Sequence, residues 1–229
     1  ALDFFWKKLI HDTFQNFHEI PLWNPYTFGG MPFLAHHFSK ILYPPNFLFL
    51  FFSDMALLFN ILYILHFFFA GLFIYLFARE IGLDEFSSFI ASIIYIFNGR
   101  FVTYVYAGLT NELPMMVFFP LTLYLFESAI RKNKIYYGIF TGISLSLIIL
   151  GAHTQMLVYA CIFLFFYFLF RIAVIYTSNK SRRLIKKVFL IYICALAISV
   201  LLAAAQLLPS IEILEKSTFP LQINQNTTS

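Results

Sequence analysis

Charge is what this chain has least of. Only 11% of its 229 residues are Asp, Glu, Lys or Arg, against about a quarter in an ordinary soluble domain, so a water-soluble fold is excluded. A formal charge of +4 spread this thinly is no footprint for nucleic acid. In a membrane protein the positive charges report instead which side each loop faces. Cysteine is scarce as well: Cys161 and Cys194 both fall inside apolar runs, where a thiol packs as a small hydrophobe, and neither bears on redox compartment. A Walker loop, a dinucleotide-binding fingerprint, a Gly-x-Ser-x-Gly elbow and a zincin helix are all absent. No heptad pattern is sustained and no fixed period repeats.

Apolar residues fill the space that charge leaves. They make up 61% of the chain, with 32 Phe and 14 Tyr. Six stretches, 55–78, 86–106, 113–130, 136–151, 156–176 and 188–208, approach the ~20 residues needed to cross a hydrocarbon core. Backbone groups in lipid must bond within their own segment, so these are helices. The expected fold class is all-α: a polytopic transmembrane helix bundle of about six spans. Residues 1–54 form an extracytoplasmic helix and loop, 55–208 the bundle, and 209–229 an extracytoplasmic tail leading to a further C-terminal part. The chain opens on Ala without a signal-peptide pattern, so it is expected to be a fragment missing an upstream span.

Residues 1–20 place Phe4, Phe5, Leu9, Ile10, Phe14 and Phe17 at mixed three- and four-residue spacing. That spacing predicts an amphipathic helix in the membrane interface, anchored by Trp6 and Trp23. Residues 22–46 then read LWNPYTFGGMPFLAHHFSKILYPPN. Proline removes donors and fixes φ, and Gly29-Gly30 opens conformations closed to other residues, so this is a shaped loop. Loops on rigid scaffolds are where binding and catalysis concentrate. The apolar run 47–52 is too short to span and predicts a re-entrant or buried segment.

Orientation follows from the basic residues. One side holds Arg79, Arg131, Lys132, Lys134, Lys180, Arg182, Arg183, Lys186 and Lys187, the other Lys7, Lys8, Lys40 and Lys216. The richer side faces the cytoplasm. The shaped loop, Glu112, His153 and the tail therefore share the extracytoplasmic face.

Several residues there can carry chemistry. Asp3 and Glu112 are carboxylates at a low-dielectric boundary, where burial lifts a pKa toward that of a working general base; the alternative is a solvated charge. In Gly151-Ala152-His153-Thr154-Gln155, His153 and Gln155 either cap helix ends or recognise a phosphate or sugar hydroxyl. Arg100, inside the second predicted span, either binds an anion or snorkels to the interface. His66 is expected to make a helix–helix hydrogen bond. In the shaped loop, Asn24, His36, His37 and Tyr43 are candidate substrate contacts. His36-His37 has no third ligand at regular spacing, so no metal site is assigned.

The block WNPY-x-x-GG-x-P with its downstream Tyr-Pro, His66 followed by Ala70-Gly71, the Gly151–Gln155 turn and QLLPS at 206–210 resemble the N-terminal part of the YfhO family of bacterial membrane proteins. That family is similar to the C-type glycosyltransferase superfamily. The resemblance implies transfer of a sugar from a polyprenyl-phosphate donor to an extracytoplasmic cell-envelope glycan, lipid or protein, at the bacterial cytoplasmic membrane. It implies a carboxylate just after the first span as base or acceptor-positioning group, and Asp3 matches that place. Whether a divalent metal takes part is left open. Two rival classes are a lipid or polymer transporter, favoured by paired, broken helices, and a non-catalytic envelope assembly protein.

Overall fold

A computed structural model describes residues 2–27, 29–36, 39–178 and 182–216. His37 and residues 217–229 of the expected tail lie outside the described residues. Helix α1 (Leu2–Phe17) leads into a two-residue antiparallel pair, β1 (Trp23–Asn24) and β2 (Met31–Pro32). The turn between the strands needs glycine. Gly29 and Gly30 have φ of 75° and 114°, and a Cβ on Gly30 would stand 2.7 Å from the Trp23 ring. A 3-10 turn (Pro44–Phe47) and the single-turn α2 (Leu48–Phe51) follow, with Phe49 and Leu50 buried.

The bundle comprises α3 (Met55–Ile81), α4 (Glu85–Ile96), α5 (Gly99–Tyr106), α6 (Leu113–Arg131), α7 (Ile135–Gly151), α8 (Thr154–Thr177) and α9 (Arg182–Lys216). Among the described residues, five segments are long and apolar enough to cross a membrane, and α7, at 17 residues, is a shorter apolar helix. The all-α polytopic reading holds. The second span is not continuous as expected: it breaks between α4 and α5. The cause is local, because the Asn98 side chain accepts from Arg100 N at 2.9 Å and Phe101 N at 3.1 Å. An Asn side chain that captures these donors starts a new helix rather than extending the old one. The last helix also overruns its expected end, continuing through Pro209 to Lys216.

Helix α7 packs against α6 on one side and α9 on the other. Glycine allows the second contact: a Cβ on Gly142 would lie 2.8 Å from both the Ala195 carbonyl and Ile198 Cβ. Close backbone approach through small residues is a main source of helix association in lipid. Elsewhere the outer surface is apolar, with Ile64, Phe68, Ile94, Phe166 and Leu201 exposed.

One end of the bundle collects the loops. Thr110 bonds Asp3, His153 N donates to Asn111 O at 3.0 Å, Ser210 Oγ donates to Ala35 O at 2.7 Å, and Gly151 abuts Tyr43. Helix α1 does not simply lie on the membrane by its apolar stripe. Trp6 and Ile10 pack against Phe33, Ile41 and Leu50, so α1 and the shaped loop form a cap with its own small core. Trp6, expected as an interfacial anchor, is 6% exposed in that core, while Trp23 is 55% exposed.

Candidate functional site: a lysine cavity beneath the cap

The cap buries two lysines over the mouth of the bundle. Lys7 sits one turn after Asp3 on α1, and its Nζ donates to Ser39 O at 3.1 Å. Lys40 lies in the loop with φ of 47°, a left-handed conformation that Asn46 supports by donating its Nδ2 to Lys40 O at 2.8 Å. Both are essentially inaccessible, at 1% and 2%. Among the described residues, Lys40 Nζ has no hydrogen-bond partner. A buried ammonium without a partner is costly, which makes this the most informative atom in the structure.

Asp3 and Glu112 supply the nearby negative charge. Asp3 Oδ2 accepts from Thr110 N at 3.2 Å and from Thr110 Oγ1. Glu112 closes the 3-10 turn (Thr110–Glu112) before α6, and its buried Oε2 has no hydrogen-bond partner among the described residues. Tyr43 and His66 form the adjoining wall. His66 Nδ1 lies 2.7 Å from Leu62 O, which can only accept, so Nδ1 carries the proton. In the neutral imidazole Nε2 is then an acceptor, and the Tyr43 hydroxyl donates to it at 2.8 Å. His66 thus bonds the loop, not the neighbouring helix that the sequence suggested.

Lys7, Lys40, Tyr43, Tyr63, His66 and Thr110 help enclose a cavity of about 20 Å³, room for roughly one water. On the other side of the Tyr43–His66 pair runs an apolar groove of about 400 Å³ bounded by Pro44, Leu65, Phe69, Phe73 and Phe118. A polar pocket and a lipid-type groove therefore share one wall.

Burial dominates the electrostatics outside the spans. It lowers Lys7 to about 8, opposed by the Asp3 charge. It holds Lys40 well below the usual lysine range, with Asp3 and Glu112 opposing and Lys7 reinforcing the effect. The Tyr43 hydroxyl is pushed well up by burial, and the His36 imidazole down. A folded-state pKa below that of the unfolded chain means the unfolded chain binds more protons between the two values, so stability rises with pH there. For Lys7 the window runs from about 8 to 10.5, and its full amplitude is about 3 kcal/mol. Denaturation midpoints of the detergent-solubilised protein should climb across that window. A Lys7→Met variant should climb less, and an equal slope in both would refute the buried-lysine assignment.

The remaining sequence candidates are dispersed. Asn24 is fully buried and holds the turn, accepting from Tyr26 N at 2.9 Å and donating to Thr27 Oγ1 at 3.0 Å. His36 packs edge-on to Trp6 and lines a different pocket from the one the lysines enclose. His153 caps α8 by accepting from Gln155 N at 3.2 Å. Gln155 is exposed and donates to Tyr159 Oη at 2.6 Å. Arg100 sits exposed in the first turn of α5, its Nε donating to Tyr104 Oη at 2.5 Å, near enough to Glu112 for their charges to interact. Among the described residues, no three His, Cys, Asp or Glu are grouped to hold a metal.

Sequence reasoning missed Lys7, Lys40 and Thr110. Lys7 had a legible cue in its four-residue spacing from Asp3; Lys40 had none, because only the folded cap buries it. A second ionic cluster near the opposite end was also missed. There Glu127 meets Arg131 Nε at 2.6 Å and Arg171 Nε at 3.0 Å and accepts from Tyr167 Oη at 2.9 Å.

Fold and site together define a multi-pass α-helical membrane protein with a capped, lysine-bearing cavity at one end. The chain belongs to the family of predicted membrane proteins designated DUF2079, whose model matches residues 8–220. No curated protein and no solved structure matches it.

Proposed function

We propose that this chain is the membrane part of a glycosyltransferase, similar to the YfhO family and the C-type superfamily, that moves a sugar from a polyprenyl-phosphate donor to a cell-envelope acceptor. The observation that carries the reading is Lys40 Nζ, buried beside two carboxylates where an apolar groove ends and without a hydrogen-bond partner among the described residues. The isoprenoid tail lies in the groove, and the cavity widens beyond its one-water size to admit the phosphate, whose oxygens Lys40 and Lys7 bind. The acceptor hydroxyl oxygen attacks the anomeric carbon while the bond from that carbon to the phosphate oxygen breaks. The bonding electrons leave with the phosphate, which the lysines stabilise. The hydroxyl proton passes to a carboxylate.

Glu112 offers an oxygen without a hydrogen-bond partner among the described residues for that proton, and Asp3, held by Thr110, positions the acceptor. Tyr43 walls the donor pocket. Arg100, His153 and Gln155 are assigned to acceptor contacts, with Asn24 and His36 shaping the cap. By the positive-inside count the site faces away from the cytoplasm of a bacterial cell.

The test is transfer from a radiolabelled polyprenyl-phosphate sugar in membranes carrying the full-length protein. Glu112→Gln and Asp3→Asn should each lower the rate by about a hundredfold or more, the scale of general acid–base catalysis. Unchanged transfer in both would sink the assignments. The break at Asn98 is the one feature that favours a transporter, and movement of labelled lipid across the bilayer without transfer would put that reading first.

A further inference from the structure

A second pocket lies elsewhere under the cap, where α9 passes the turn between α7 and α8. It is a cleft of about 530 Å³ reached by Pro32 and Ala35 of the loop, Thr154 and Leu157 of α8, and Gln206 and Ile211 of α9. Its size falls in the ordinary range for small-molecule sites. Its wall is mostly apolar, and among the described residues no Asp, Glu, Lys or Arg lines it. His36 also lines it, with burial favouring its neutral form, so the wall offers a phosphate no fixed cation, unlike the lysine cavity.

One polar atom in it has no explanation within the fold. Gln206 is 5% exposed, and its buried Oε1 has no hydrogen-bond partner among the described residues. An amide oxygen kept out of water without a donor is destabilising, and such an atom calls for a partner. The partner's chemistry follows from the amide itself. Oxygen and nitrogen of a glutamine side chain exchange places by a simple flip, so the group that satisfies it in either pose must donate and accept. A hydroxyl does both. Ser210, one turn along α9, has a single hydroxyl hydrogen, shared between Ala35 O and Gln206 O, and its oxygen can still accept a bond. We infer that this cleft binds an uncharged lipid alcohol, its hydroxyl on Gln206 and Ser210 and its chain along Leu157, Ile211 and Leu214. The inference stands apart from the sugar-transfer reading, since it uses none of the lysine cavity's residues.

The experiment uses the full-length protein in phosphatidylcholine nanodiscs with a diazirine-bearing diacylglycerol, mapping the photolabelled peptides by mass spectrometry. Label should fall on peptides covering residues 149–157 and 206–214 and be displaced by dioleoylglycerol but not by phosphatidic acid. Gln206→Met, close in volume, should cut labelling about fivefold, the loss expected for one hydrogen bond. Leu157→Trp, which fills the cleft from α8, should do the same with Gln206 intact. Thermal melts of both variants separate lost binding from lost fold. Equal labelling of parent and both folded variants would overturn the inference. So would equal displacement by phosphatidic acid, or absence of label from these peptides, the result expected where the chain's own residues fill the cleft.

Discussion

Lys40→Met should cut transfer steeply while leaving the protein as stable as the parent or more so. Methionine nearly matches the lysine stem in volume and removes the amino group, which at 2% exposure has no hydrogen-bond partner among the described residues. Desolvating a buried ion costs several kcal/mol, and at Lys40 burial outweighs the Asp3 and Glu112 charges, so an apolar side chain of the same volume removes more cost than compensation. Catalysis moves the opposite way, because the phosphate loses the cation that stabilises it as it leaves. A drop of about a hundredfold or more in transfer is expected, the size of losing one preorganised electrostatic contact. Unfolding curves in detergent and transfer assays on the same preparation read both effects. A variant that loses stability and keeps its rate would make Lys40 a structural residue. Stability traded against function is the usual mark of a strained active site.

Glu127→Leu should be the most destabilising single change in the bundle. The carboxylate is 1% exposed and binds Arg131 and Arg171 while accepting from Tyr167. The Arg171 contact, at 3.0 Å, is an ion pair that falls short of hydrogen-bond geometry. Arg131, 43% exposed, can swing toward solvent; Arg171, 16% exposed, has less room. Losing one partner of a buried pair costs about 3–5 kcal/mol. The double variant Glu127→Leu/Arg171→Leu should recover most of that. Unfolding in mixed micelles across the four members of the cycle measures the coupling, and a double variant whose loss equals the sum of the two single losses would show that the two residues act independently.

The sequence made the bundle legible because lipid restricts the options: a run of apolar residues has one way to satisfy its backbone. It also led to the loop face, and to Asp3, Glu112 and Tyr43 as candidates there. What stayed hidden depends on contacts between segments far apart in the chain. Lysine in a proline-rich loop reads as solvated, and only the packing of Trp6 and Ile10 on Phe33 and Ile41 reveals that Lys7 and Lys40 are enclosed. The break at Asn98 escaped for a different reason. Averaged hydropathy over 86–106 is insensitive to one amide that bonds the next turn's donors. Glu127 and Arg131 were visible as a pair four residues apart, but the third member, Arg171, arrives from another helix.

The 17 residues of α7 reach about 26 Å at 1.5 Å per residue, short of a hydrocarbon core about 30 Å thick. Gly142 holds α7 tightly to α9, while Ile139 and Phe140 remain on the outside; tilting would only shorten the span of α7 further. The bilayer must pinch beside it. The headgroup layer is drawn inward next to Gly151, the residue that abuts Tyr43. Acyl-chain length thus becomes a variable for this protein: thin membranes relax the mismatch, and thick ones strain the end of the bundle where the cap sits.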